Sequence, residues 1–195
     1  MRCRALLLAV LLISTQTGCS LMVAGLAVVT GAVVALQERS VGDVIDDAAI
    51  LIKINKELFQ QGMFSSITVR VSEGRVLLTG TVDSPDKRLK AERVAWQQSE
   101  VKEVVNEIAV DKDEVTLKEV AIDSAISAQI KARMVAHAGI KSVNYSINTV
   151  GGVVYLMGIA QSQKELNSVI GISKRVKGVK QVISYVRLKH SKLRR

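Results

Sequence analysis

The chain carries one structural pattern twice, and this duplication limits its possible folds more than any other feature. "VRVSEGRVLLTGTV" matches "YSINTVGGVVYLMGIA", and "SEVKEVVNEIAV" matches "KGVKQVISYVRL". At an offset of 78 residues, Val76, Leu78, Gly80, Val101, Val104 and Ile108 fall on Val154, Leu156, Gly158, Val179, Val182 and Val186. Upstream the offset is 76, which aligns Ile50, Ile54 and Leu58 with Ile126, Ile130 and Met134. The two extra residues are expected in the turn "NTVGG", where a hairpin tolerates insertion. Self-similarity at a fixed spacing marks a unit that is folded more than once.

Each copy reads in the same order. A first helix carries apolar residues at i, i+4 and i+8, as in Ile50, Ile54 and Leu58, which makes one stripe. A strand alternates Ile67, Val69 and Val71 with Thr68, Arg70 and Ser72, and a turn at Glu73-Gly74 returns it through Val76 to Gly80. This is an antiparallel hairpin. The second helix opens in copy one with Ser84-Pro85, an N-cap and a first-turn proline, and in copy two with the capping-box pattern Ser162-Gln163-Lys164-Glu165. Its apolar stripe in copy two is Leu166, Val169, Ile170, Ser173 and Val176. A third strand, 104–110 or 182–188, ends the unit. The order predicts an α+β chain of two tandem small domains, each helix-strand-strand-helix-strand, with two helices on one face of a three-stranded mixed sheet. The domains are expected at 46–110 and 123–189, with an acidic linker at 111–122 and a basic tail at 190–195.

The 195 residues are 48% hydrophobic and 23% charged, which suits two small folded domains and excludes a disordered chain. The two cysteines, Cys3 and Cys19, both lie in the first twenty residues, so no disulfide framework supports the fold. Arg2 and Arg4 precede an apolar run at 5–13 and a small or polar stretch at 14–18, the three-part layout of a secretory signal peptide over residues 1–18. Cys19 after Thr17-Gly18 resembles the lipobox of bacterial lipoproteins, with Gln16 where that pattern prefers an aliphatic residue. The resemblance implies lipidation of Cys19 by two or three acyl chains such as palmitate, with 19–45 as a tether. Ser20 in the next position then implies the outer membrane. The rival is a transmembrane anchor at 21–36, whose sixteen residues would span about 24 Å against a ~30 Å hydrocarbon core. Both readings place the folded part outside the cytoplasm.

The net charge of +9 is unevenly distributed. Residues 46–110 hold nine basic and ten acidic groups, a balance of −1, whereas 123–195 hold thirteen and two, a balance of +11. From 166 to 195 there are nine basic residues and no acidic one. Such asymmetry marks a surface for an anionic partner; the plainer alternative is a solvated face that aids solubility. On the second helix of copy two, Lys164 and Arg175 project away from the apolar stripe and Lys174 lies at its flank. Lys177 and Lys180 follow, and Lys131 and Arg133 on the first helix add to the surface, Arg133 nearer its buried side. These seven residues are the candidate lipid-binding set. Cations near a helix C-terminus also stabilise its dipole, which is a structural role for Lys174, Arg175 and Lys177.

No catalytic chemistry is legible. His137 and His190 are isolated, and no clustered Cys or carboxylates accompany them to hold a metal. Gly151-Gly152 fits a hairpin turn better than a phosphate loop. Asp46 and Asp47 form a carboxylate pair, but they are expected just before the first helix, where acidic residues favour the N-terminus. The expectation is a protein without catalytic residues, metal or cofactor.

The element order, the Gly-x-Val-x-Leu-x-Gly hairpin and a Gly-Val-x-x-Val lead into the last strand resemble the BON domain family of bacterial envelope proteins. "GGVVYLMG" and "VKGVKQV" in copy two carry the pattern, while copy one has Glu100 at the position of the second motif's glycine. Two such copies behind a lipobox, approached through "RSVGDVIDD" at 39–47, resemble the family's two-copy outer-membrane lipoproteins. The resemblance implies binding to phospholipid surfaces, support of envelope integrity, and recognition of anionic phospholipid such as phosphatidylglycerol or cardiolipin by the second copy.

Three partners compete for the basic copy. An anionic membrane surface gains on the order of 1 kcal/mol per nearby Lys or Arg, and an acyl anchor would hold the protein close to it. Nucleic acid is disfavoured by export and by an aromatic content of 3%. A periplasmic protein is the third, because Val153, Tyr155, Met157, Ile183 and Tyr185 form a sheet face too apolar to stay bare; it would pack on copy one or on another subunit. No aromatic residue stands on the helices of copy two, so the expected lipid contact is electrostatic and weakens in salt.

Overall fold

The computed structural model describes residues 40–113 and 115–192. The signal peptide, Cys19, the apolar run at 21–36, Arg194 and Arg195 lie outside the described residues. Gln37–Arg195 forms one compact unit. Among the described residues no helix is long and apolar enough to cross a membrane.

Copy one begins with α1 (Val41–Gln60), whose start is fixed by a capping box at Ser40. The Ser40 hydroxyl accepts from the Asp43 N–H at 3.0 Å, and the Asp43 carboxylate accepts from the Ser40 N–H at 3.2 Å. Asp46 and Asp47 therefore stand inside the helix, correcting the expectation that they precede it. The hairpin β1 (Ile67–Ser72) and β2 (Arg75–Val82) follows, then α2 (Pro85–Trp96) and β3 (Glu103–Val110). β2 is central, antiparallel to β1 and parallel to β3. Copy two repeats this as α3 (Leu117–Val135), β4 (Tyr145–Val150), β5 (Val153–Ala160), α4 (Gln163–Lys174) and β6 (Gln181–Leu188), with β5 central. A capping box between Thr116 and Glu119 starts α3 within the stretch read as linker.

Register locates the inserted residues. Ser72 pairs with Arg75 and Val150 with Val153, so both hairpin turns are two residues long. The insertion is not in "NTVGG"; it lies between the first helix and the first strand, where copy two adds a 3-10 turn at Ser142–Asn144. Both turns are left-handed at each central residue, with φ of 58° and 74° at Glu73 and Gly74 and of 57° and 83° at Gly151 and Gly152. A helix carboxylate holds each turn, buried at Asp47 and half-buried at Asp123. Asp47 accepts from the Glu73 and Gly74 N–H groups at 2.8 Å each, and Asp123 from Gly151 and Gly152 at 2.7 and 2.9 Å. The motif glycines Gly80 and Gly158 have φ near +135°, and a Cβ there would lie 2.1 Å from the Ser66 carbonyl oxygen or 1.9 Å from that of Asn144. No side chain fits so close to backbone, which is why the hairpin pattern ends in glycine.

The predicted stripes are the cores. Ile50, Ile54 and Leu58 pack with Val76, Leu78 and Ile108, and Ile126, Ile130 and Met134 pack with Val154, Leu156 and Val169. The sheet faces away from the helices bury Leu77 against Tyr155 and Met157, with Val105, Val153 and Ile183 around them. The apolar sheet face of copy two is thus covered by copy one. Asn148 donates to the Thr79 hydroxyl at 2.6 Å, Arg75 donates to the Tyr185 carbonyl at 3.0 Å, and the Tyr185 hydroxyl donates to Glu107 across the same seam. Helices, sheet, sheet and helices form four layers, so the two helix layers face opposite ways.

Candidate functional site

The helix layer of copy two gathers most of the candidate cations. α4 begins at Ser162, whose hydroxyl accepts from the Glu165 N–H at 3.2 Å. The expected reciprocal half of the capping box is replaced: the buried Glu165 carboxylate accepts from the Lys141 N–H at 2.8 Å and the Gln161 N–H at 2.6 Å. Glu165 thereby ties the helix start to the loop after α3, beside the Tyr145 phenol, whose ionisation is pushed well above its ordinary range by burial first and by this carboxylate second. Val169, Ile172, Ser173 and Val176 turn inward, which leaves Lys164, Lys174, Arg175 and Lys177 exposed.

Lys164 and Arg175 line an open groove of about 530 Å³ with His137, Asn167, Ser168 and Gly171. Positions 164, 168, 171 and 175 share one helix face by their spacing of four, three and four. The Arg175 guanidinium folds back over Gly171, 3.6 Å from where a Cβ would stand. Arg133 joins from α3: its guanidinium donates to the Arg175 carbonyl at 3.2 Å. This cation at the C-terminal carbonyls of α4 supports the helix dipole, as do Lys174 and Arg175 themselves.

Two candidates are engaged elsewhere. The Lys131 ammonium donates to the carbonyls of Ser142 and Tyr145, the latter at 3.4 Å, and holds the 3-10 turn in place. Half-buried and bonded to these carbonyls, it does not project from the helix layer as the sequence suggested, and burial lowers its pKa from the lysine value. Lys180 is exposed but lies at the hairpin turn, where its N–H donates to the Gly152 carbonyl at 2.9 Å and its stem covers Gly152. Its charge adds to the Thr116 hydrogen bonds that hold the Glu119 carboxyl below the usual range. In the terminal stretch, Arg187 is half-buried and bonded to Glu103 of copy one at 2.5 Å. The positive end of the sequence therefore divides into a seam cation and an exposed set.

The first copy is an internal control. Positions equivalent to Arg133, Lys164, Lys174, Arg175 and Lys177 are Glu57, Asp86, Trp96, Gln97 and Ser99. The same fold carries none of the basic set in copy one, so its presence in copy two is not a requirement of folding. Sequence reasoning missed the groove residues Asn167, Ser168 and Gly171, although their helical spacing from Lys164 and Arg175 was readable. Among the described residues no three His, Cys, Asp or Glu side chains stand together as for a metal ion. The paired carboxylates Asp46 and Asp47 divide likewise, Asp46 exposed and Asp47 bound to the hairpin turn.

Comparison with known proteins bears on both copies. The BON domain family matches residues 46–112 and 122–190. The chain is 99% identical over 151 residues to the "Uncharacterized protein in gshII 5'region" of Anaplasma centrale, covering 77% of this chain and 100% of that protein. It is 33% identical over 147 residues to the osmotically-inducible protein Y of Escherichia coli, covering 74% and 73%. It is 29% identical over 169 residues to the outer membrane lipoprotein DolP of Haemophilus influenzae, covering 85% and 86%.

Proposed function

The chain belongs to the BON domain family, and on that premise we propose that it binds anionic phospholipid through the helix layer of its second copy. It does so as an outer-membrane lipoprotein facing the periplasm, and it supports envelope integrity without catalysis. The carrying observation is the exposed cluster of Arg133, Lys164, Lys174, Arg175 and Lys177 on one face of copy two, against neutral or acidic residues at every equivalent of copy one. Lys164 and Arg175 open onto a groove that also offers the Asn167 amide and Ser168 hydroxyl, a donor set suited to a phosphodiester headgroup. Resemblance to a lipoprotein of the outer membrane supports the reading that Cys19 is acylated, and such an anchor would hold the basic face close to lipid. A weak electrostatic contact added to an acyl anchor gives stable attachment. The apolar sheet face of copy two, expected to pack on copy one or on another subunit, is covered by copy one and so gives no support to an adaptor.

Pelleting of residues 37–195, the compact unit, with phosphatidylglycerol or cardiolipin vesicles across a salt series tests the reading. Binding that falls with salt and is absent on neutral vesicles is expected; equal binding to neutral vesicles refutes it. A Cys19→Ala chain that stays in the outer-membrane fraction at normal yield refutes the anchor.

A further inference from the structure

The helix layer of copy one carries a face that its own fold does not use. α1 buries Ile50, Ile54 and Leu58, yet its other side shows Ile45, Ile52 and Phe59 at 63%, 67% and 72% exposure. Their spacing of seven keeps them in one line along the helix. Phe64 in the following turn, 51% exposed, meets Phe59 edge-to-face with centroids 6.2 Å apart. On α2, Leu89 and Trp96 repeat the spacing at 55% and 50% exposure. At about 200 Å² for a large apolar residue, these six leave roughly 700 Å² bare. Monomers rarely expose so much in one layer, and it approaches the ~800 Å² that one partner contributes to a stable protein interface. The equivalents of Ile45, Ile52, Phe59, Leu89 and Trp96 in copy two are Ala121, Ala128, Val135, Asn167 and Lys174, so folding does not require the face.

The charges around it identify the occupant. Half of those on α1 and α2 are engaged within the chain: Asp43 at the Ser40 cap, Asp47 at the hairpin turn, Lys53 with Glu100, Lys87 with Asp83, and Arg88 and Glu92 with Asn106. The rest, Asp46, Glu57 and Asp86 against Lys56, Lys90 and Arg93, have no ionic partner among the described residues. Three acids and three cations balance. A partner of one sign would leave half of them facing like charge, whereas a second molecule of this chain presents both signs in equal number. A two-fold axis at Ile52 lays α1 antiparallel on its mate, with Ile45 against Phe59 of the second molecule and Phe59 against its Ile45. Ala48 and Ala49, exposed beside the line, leave room for them. At 100° per residue Asp46 and Lys56 stand on the same flank, six residues before and four after Ile52, so the axis sets each Asp46 beside the other molecule's Lys56. We infer that two molecules pair through the helix layers of their first copies, α1 antiparallel on α1. The pairing leaves the basic layer of copy two facing outward in each molecule, and it goes beyond the lipid reading without depending on it.

Sedimentation of residues 37–195 without lipid, over a dilution series, tests the pairing. The expected species has twice the chain mass and dissociates on dilution. Ile52→Asp, at an exposed site on the axis, is expected to leave a monomer with unchanged circular dichroism. Asp46→Lys alone and Lys56→Asp alone each weaken the dimer by roughly tenfold, because both ion pairs become like-charged, and the double variant restores it. Changing Lys174, Arg175 and Lys177 to Glu leaves the dimer intact while removing lipid binding, so the two readings fail separately. A monomer at every concentration overturns the inference; a shift in the emission of Trp96, the single tryptophan, when that monomer meets phosphatidylglycerol vesicles would then assign the face to lipid. A dimer that survives Ile52→Asp, or a double variant no tighter than the single ones, also overturns it.

Discussion

Removing the Glu103 carboxylate probes what holds the two copies together. Glu103 accepts from Arg75 Nε at 3.1 Å and Nη2 at 3.5 Å within copy one, and from Arg187 Nη2 at 2.5 Å across the seam. The Arg75 side chain is 6% exposed, that of Arg187 21% and that of Glu103 37%. Breaking a fully buried pair costs roughly 3–5 kcal/mol, whereas an exposed pair is worth about 0–1 kcal/mol. Partial exposure of Glu103 and the remaining bond from Arg75 to the Tyr185 carbonyl place Glu103→Ala between these, at about 2 kcal/mol. With a urea slope of about 2 kcal/mol per molar, the unfolding midpoint falls by about 1 M. A double-mutant cycle with Arg187→Ala isolates the cross-seam part, expected at about 1 kcal/mol of coupling. An unchanged midpoint, or additive effects of the two changes, refutes the claim that this network joins the copies.

Asp47→Asn removes a charge-assisted acceptor from the buried Gly74 N–H and destabilises by about 2 kcal/mol, while Asp123→Asn, whose turn is more exposed, costs about 1 kcal/mol; chemical denaturation of the two variants checks the order. The chain has three tyrosines, Tyr145, Tyr155 and Tyr185, and burial raises the pKa of each above the ordinary 10.0, with Glu165 or Glu107 adding to it. The folded state thus keeps phenol protons that the unfolded chain releases, so stability falls as pH rises above about 10. Absorbance at a phenolate wavelength is expected to stay low at that pH until the chain unfolds; a native titration near 10 contradicts the burial of these rings.

The fold was readable because each local signal served the same end. Ile50, Ile54, Leu58 and their counterparts declare a buried stripe, and the alternation around Glu73-Gly74 and Gly151-Gly152 declares hairpins. Position of the insertion was misread because the "GG" of copy two attracts attention, while the 3-10 turn at Ser142–Asn144 has no such mark. Asp47 looks like a helix-start acid in sequence and Asp123 carries no mark there; only tertiary folding brings them 2.7–2.9 Å from turn N–H groups. The basic set was half legible. Spacing on α4 exposes Lys164 and Arg175, but periodicity says nothing of the carbonyls that take up Lys131 or of Glu103 waiting for Arg187. The outward line of Ile45, Ile52 and Phe59 was present as a second stripe on α1, overshadowed by the stronger one.

The most direct test of lipid recognition by copy two compares two charge reversals of equal size in residues 37–195. One changes Lys174, Arg175 and Lys177 to Glu; the other changes Lys102, Lys112 and Lys118, exposed residues away from α4. At about 1 kcal/mol per cation near an anionic surface, the first is expected to weaken partitioning onto phosphatidylglycerol vesicles by on the order of 100-fold. The second is expected to change it far less. Equal losses in both would mean that net charge, and not the α4 face, draws the protein to lipid.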